Sequence, residues 1–310
     1  NTENSGFGPL FLLLTDLLSF VSSNHNVTSI ILSSFLITLQ AFSLNSILIN
    51  NKALSANTYL PAACYALILS SSPEFVFLSP ALCAVTFILI GLNYMFFHLQ
   101  YRGSEENILS TGFVFGVAIL FHPPSVLFVI MVYCIYLFYS STINRRYFLI
   151  LFGIMLPIIL VWVYHFWQNE GSRFWGDLVS SIFSGTHELL IEPAHLLILF
   201  GLPLLIALIS TSQGFLGIGL TNHQILIQRT MLFCGFFAIS SIFLNQSVSV
   251  NSLIYLVPSL AFFSTQFFLS RRKGWFSEMI FVVLILWSIA GLLLPILDES
   301  LSPVDYSSLK

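Results

Sequence analysis

The chain has 310 residues, 57% of them hydrophobic and only 7% charged, with a net charge of −3 and a mean hydropathy of +0.92. Soluble domains carry about 25% charged residues, so the composition excludes a water-soluble globular protein and gives no basic surface for nucleic acid. Continuous apolar runs such as Tyr147 to Trp162 also exclude the alternating strands of a membrane barrel, leaving an all-α, polytopic transmembrane helical bundle read as a single domain over residues 1–310.

In chain order, residues 1–27 read as an outer segment. Within it, residues 9–22 (PLFLLLTDLLSFVS) are too short to span and contain Asp16, which suits a helix lying in the membrane interface. About ten spans follow, near 28–49, 58–73, 76–98, 108–121, 125–141, 147–166, 195–211, 230–246, 251–270 and 276–296. Between the fourth and fifth, His122-Pro123-Pro124 forms a tight turn, because proline lacks an N–H donor and opens the next helix well. Residues 167–194 are the longest polar interruption. From Phe174 they predict an amphipathic helix, with Phe174, Trp175, Leu178, Ile182 and Phe183 on one face and Asp177, Ser180, Ser181 and Ser184 on the other. Residues 297–310 form a short acidic tail.

Basic residues orient these spans. With the Thr142–Arg146 loop in the cytoplasm, Lys52, Arg102, Arg145, Arg146, Arg229, Arg271, Arg272 and Lys273 fall on that side. Of the acids, only Glu105, Glu106 and Glu278 join them. Arg173 and Lys310 fall outside. Residue 1 and the C-terminus are then periplasmic, and an exported N-terminus implies a further helix upstream of Asn1.

Ionisable groups are nearly absent from the spans, which disfavours an ion-coupled transporter. Their polar exceptions (Gln40, Asn45, Asn93, His98, His165 and Gln266) read as hydrogen-bonding links between helices. Gly112-Phe-Val-Phe-Gly116 permits close approach of another helix, read as packing within the bundle. Cys64, Cys83, Cys134 and Cys234 sit in apolar runs without metal-like spacing, so they read as free thiols, and no metal site is expected. No nucleotide or zinc motif occurs.

The candidates for chemistry lie on the outer face. Asp16 reads either as a general base with a perturbed pKa or as the polar edge of an interfacial helix, and Glu3 lies close to where the expected upstream helix would enter. Trp167, Glu170, Trp175 and Asp177 mix aromatics with carboxylates, a combination that suits a sugar or a partner, and Arg173 suits a phosphate. The alternative for this stretch is an interfacial helix with tryptophan anchors and a solvated polar face.

The runs NNKALSANTYLPAACYALILSSSPEFVFLSPAL (50–82), NILSTGFVFGVAILFHPPSVLF (107–128) and NRRYFLILFGIMLPIILVWVYHFW (144–167) resemble a family of uncharacterised Bacteroidota membrane proteins. The order of elements also resembles the GT-C class of membrane glycosyltransferases, which use polyprenyl-phosphate sugar donors. In that likeness Gly112 to His122 falls where the class carries a helix end with a phosphate-binding lysine, here replaced by His122. Arg145-Arg146 supplies its basic turn, and 167–194 its later outer loop. The resemblance implies a glycosyltransferase at the outer face of the bacterial inner membrane. Asp16 or Glu3 would be the catalytic acid-base residue, and His122 and Arg173 would hold the phosphate of a polyprenyl-phosphate lipid, with no other cofactor. The competing expectation is a non-catalytic subunit of an envelope complex for secretion, motility or transport, with membrane lipids and other envelope membrane proteins as partners.

Overall fold

The computed structural model describes residues 7–21, 25–101, 105–139, 148–183, 188–189, 193–215, 221–242, 247–248, 250–270 and 275–297. Among them, α-helices follow one another as α1 (Pro9–Val21), α2 (His25–Asn50), α3 (Leu60–Leu69), α4 (Pro80–Tyr101), α5 (Glu105–Phe121), α6 (Val126–Tyr139), α7 (Phe148–Trp167), α8 (Gly171–Phe183), α9 (Pro193–Phe215), α10 (Asn222–Ile242), α11 (Val257–Ser270) and α12 (Trp275–Leu297). Short 3₁₀ turns at Pro73–Val76, Pro123–Ser125 and Val250–Leu256 link them. A two-residue parallel pairing joins Glu188 to Ser247 and Leu189 to Val248.

A helix falls on each of the ten predicted apolar segments, but they are not ten equal spans. Five helical stretches are long and apolar enough to cross a membrane: Asn26–Asn50, Pro80–Gln100, Phe148–Trp167, Asn222–Ile242 and Asn251–Ser270. The largest departure is the predicted 58–73 span. It holds only the ten-residue α3, about half the ~20 residues a crossing needs. Pro61 starts that helix, Ser70 caps it, and the Ser72-Pro73 turn stops it from continuing. α10 begins at Asn222 rather than near 230, because Thr221 and Gln224 cap it early.

α11 forms the buried centre, with every residue from Val257 to Thr265 buried, and α3 and α9 pack against it. α2 and α7 lie at the perimeter and expose Phe35, Phe42, Phe152 and Leu160 on the outside of the bundle. An apolar exterior of this kind costs heavily in water and nothing in lipid.

α5 packs along α7 most closely, and glycines set the distance. A Cβ on Gly112 would strike the Ile150 carbonyl, one on Gly153 would strike the Leu109 carbonyl, and one on Gly116 would come within 2.7 Å of the Ile154 carbonyl. The GxxxG pair is therefore spent on a contact inside the bundle.

Polar side chains in the core are tied together. Gln40 donates from Nε2 to the Leu82 carbonyl (2.7 Å) and to Thr86 Oγ1 (2.7 Å), while Tyr65 Oη donates to Gln40 Oε1 at 2.6 Å. Asn51 reaches Asn93 and Gln266 reaches Gln228, each at 3.3 Å. These bonds join α2 to α3 and α4, and α11 to α10, the linking role expected of Gln40, Asn93 and Gln266. Cys64, Cys83 and Cys234 are buried and Cys134 half-buried, all as free thiols.

The loops sort into two ends of the bundle. At one end, His223 Nε2 donates to the Asn51 carbonyl (2.9 Å) and Gln224 Nε2 to the Leu54 carbonyl (3.1 Å), joining the 51–59 loop to the start of α10. At the other end, the Gly8 amide donates to the Phe121 carbonyl (3.2 Å), α8 lies against the Pro123–Ser125 turn, and the Pro73–Val76 turn meets Val250–Leu256. Each set is one that alternation along the chain puts on a common side.

Candidate functional site

The site builds up from the entry of the chain. Phe7 and Phe11 pack ring to ring at 5.5 Å, and Phe11 is buried. Gly8 lies so close to the end of α5 that a Cβ would strike the Leu120 and Phe121 carbonyls, so only glycine allows the Gly8–Phe121 hydrogen bond that seats α1. α1 and α8 line a common cleft, with Asp16 exposed on α1.

α8 is aimed by the turn before it. The Glu170 amide donates to the His165 carbonyl (2.9 Å) and the Asn169 amide to the Phe166 carbonyl (3.0 Å). This pairing closes α7 with Asn169 in a left-handed conformation, φ 63°. Asparagine tolerates that region better than most side chains. Trp162 Nε1 donates to the Gly171 carbonyl (3.2 Å) and fixes the first turn of α8. Phe174, Leu178 and Ser181 form its buried stripe, and Phe174 packs on the His165 ring at 5.3 Å. The predicted grouping of α8 residues therefore shifts. Ser181 is on the buried side, and Trp175, 42% exposed, is on the outer flank with Val179. The buried stripe is centred on Phe174 because its aromatic partner, His165, waits there, a preference that periodicity alone does not carry.

Between α1, the end of α7 and α8 lies a cleft of about 280 Å³. Its polar walls are Asp16, Glu170, Asp177, His165, Gln168 and Ser181, and its apolar walls are Phe7, Leu12, Leu13, Phe174 and Leu178. His165 Nδ1 lies 4.0 Å from the Glu170 carboxylate. Three carboxylates, an imidazole and an amide over an apolar floor suit a hydroxylated or cationic group of about one sugar's size. The volume falls just below the ~300–1,000 Å³ typical of ligand pockets. Among the described residues, no group of acids, histidines and cysteines has a metal-holding arrangement.

Three residues singled out from sequence thus meet in one place: Asp16, Glu170 and Asp177. Trp167, 87% exposed, and Trp175 do not line the cleft. Glu3 lies outside the described residues. Arg173 is carried by the first turn of α8, and its side chain also lies outside them.

His122 occupies a different setting from a phosphate ligand's. It is 8% exposed, and its Nδ1 is 2.7 Å from Tyr255 Oη, a bond linking the α5–α6 turn to the Val250–Leu256 turn. Burial pushes its pKa down to about 3, so the imidazole is neutral. A neutral ring whose Nδ1 is already engaged offers a phosphate no positive charge.

From sequence, His165 reads as a link between helices and Ser181 as part of a solvated face, and Glu74 does not stand out at all. Glu74, in the turn before α4, is partly buried, and burial raises its carboxyl pKa to about 7. The His165–Phe174 aromatic spacing across the α7–α8 turn was the available signal for the first.

No protein-family model, curated protein or solved structure matches the chain.

Proposed function

We propose that this chain is an inner-membrane envelope protein that handles a sugar carried on a polyprenyl phosphate, in the manner of the GT-C glycosyltransferases, within the cleft between α1 and α8. The observation that carries this reading is that Asp16, more than 150 residues earlier in the chain, meets Glu170 and Asp177 in one cleft. The ten apolar segments lie across the membrane together, five as full-length helices and α3 as a half-length one, with the acid-rich cleft at the periplasmic surface.

In this reading the acceptor hydroxyl oxygen attacks the anomeric carbon of the donor sugar. The bond from that carbon to the phosphate oxygen breaks, its electron pair leaves with the polyprenyl phosphate, and Asp16 takes the acceptor's proton. Glu170, Asp177 and Gln168 bind sugar hydroxyls. Arg173 on α8 is the cation left for the lipid phosphate. Trp167 and Trp175, both exposed, serve as interface anchors rather than sugar-stacking walls.

One observation favours the second reading, a non-catalytic subunit of an envelope assembly. The described walls of the cleft contain three carboxylates and no lysine or arginine. Native purification followed by mass spectrometry separates the two. Retained polyprenyl-phosphate sugar in the wild type, with Asp16→Asn keeping the lipid but losing transfer by roughly 10²–10⁴-fold, supports the enzyme. Stoichiometric protein partners with no polyprenyl lipid refute it in favour of the subunit.

A further inference from the structure

The opposite end of the bundle carries a second cavity, about 740 Å³, between the loop after α2, the end of α4 and the start of α10. Its polar wall includes Lys52, Asn57, Gln100 and the first residues of α10 with Thr221 before them, His223 and Gln224 among them, and Leu54, Leu99 and Leu226 form an apolar side. Among the described lining residues there is no carboxylate, so its charge character is the reverse of the cleft beneath α1.

Its framework is tied in place by bonds that do not involve the lysine side chain. His223 Nε2 donates to the Asn51 carbonyl and Gln224 Nε2 to the Leu54 carbonyl. Thr221 and Gln224 form a reciprocal cap: the Thr221 amide donates to Gln224 Oε1 (3.0 Å) and the Gln224 amide to Thr221 Oγ1 (3.3 Å). The amides of residues 222 and 223 remain as first-turn donors, which have no acceptor within a helix. Arg229 is exposed two turns along, on the Asn222 side of α10.

Lys52 stands at this wall at a cost. The Ala53 amide donates to the Leu48 carbonyl (2.9 Å) and the Lys52 amide to the Ile49 carbonyl (2.9 Å). This closes α2 with Lys52 left-handed, φ 49°, a position where glycine is the usual residue. A lysine there is unfavourable for the backbone and places an exposed ammonium at the mouth of a cavity without acids.

We propose that this cavity binds a phosphate group, held by the Lys52 ammonium, the Asn57 and Gln100 amides and the N-terminal turn of α10. Its Leu54, Leu99 and Leu226 side accepts the glycerol and acyl portion of an anionic phospholipid. The site is separate from the cleft between α1 and α8 and does not depend on its reading.

Two variants separate binding from folding, because each is expected to leave the fold as stable or more so. Lys52→Gly removes the ammonium and the left-handed strain together. Asn222→Asp adds a carboxylate at a helix N-terminus, favourable for the helix and repulsive to an anion. Thermal midpoints are measured in delipidated detergent micelles, then with phosphatidylglycerol or inorganic phosphate added. Wild type is expected to gain stability with phosphatidylglycerol, and both variants, no less stable without lipid, to bind it on the order of tenfold more weakly. If inorganic phosphate alone reproduces the full gain, the phosphate site stands and its ligand is soluble. If neither additive shifts the wild type, or both variants keep its full response, the proposal is overturned.

Discussion

His122 shows how a residue can be located by sequence while its partner is not. Its position in a turn between two apolar segments was legible, because the following prolines break the helix. Its environment was not, since the Tyr255 hydroxyl that engages it lies 133 residues away in sequence. The pair has a pH signature. In the unfolded chain a histidine titrates near 6.5, whereas folded His122 stays neutral until about 3. Below pH 6.5 the unfolded state therefore binds the extra proton, and stability falls as pH drops through the window from about 6.5 to 3. His122→Gln, which carries no titrating group, should show a shallower acid loss in thermal unfolding between pH 7 and 5. It should also be weaker at pH 7 by about 1–3 kcal/mol, from disturbing the bond to a buried hydroxyl. An unchanged acid slope would place the sensitivity elsewhere. Asp16, Glu170 and Asp177 were readable for the opposite reason. Acids in a chain with 7% charged residues are conspicuous, and Glu170 and Asp177 share one segment, although nothing in the sequence says that Asp16 meets them. Glu74 was lost because a lone acid between two apolar runs looks like a connection between them.

At the scale of elements, helix identity was legible and helix length less so. Apolar runs mark where helices lie, but α3 ends after ten residues through Ser and Pro signals inside a run that hydropathy averages over. What fixes the α5–α7 seam is backbone proximity at Gly112, Gly116 and Gly153. Gly153→Ala places a methyl against the Leu109 carbonyl, and overpacking of this kind costs typically 1–3 kcal/mol. Gly176, in the middle of α8, has nothing within 4 Å of a Cβ. There, alanine improves helix propensity and should stabilise by about 0.5–1 kcal/mol. The two substitutions are chemically identical, so opposite signs in denaturant or thermal unfolding would isolate helix–helix distance as the cause. If Gly153→Ala were also neutral, the seam would be looser than described.

The whole molecule is polarised by charge chemistry. One end holds the acid-lined cleft with Asp16, Glu170 and Asp177, and the other holds the cavity with Lys52, which has no acid among its described lining residues. The chain alone anticipated that division, because alternation across apolar segments puts 51–59 and 221–224 on one side and 7–16 and 167–181 on the other. Hydrogen bonds and packing join those same segments. The pairing of ends therefore rests on geometry, and the proposed orientation rests on the general retention of Lys and Arg on the cytoplasmic side. Gln168 and Asn57, both exposed, report on the two ends. Single cysteines at these positions are introduced with the native thiols, three of them buried, replaced by serine or alanine. A membrane-impermeant maleimide applied to cells with a permeabilised outer membrane should label Gln168→Cys and leave Asn57→Cys untouched until the inner membrane is opened. Labelling of both from one side would break the two-ended arrangement itself. The reverse pattern would keep the bundle but invert it, setting the acid-rich cleft in the cytoplasm, where a donor presented at the periplasmic surface is out of reach.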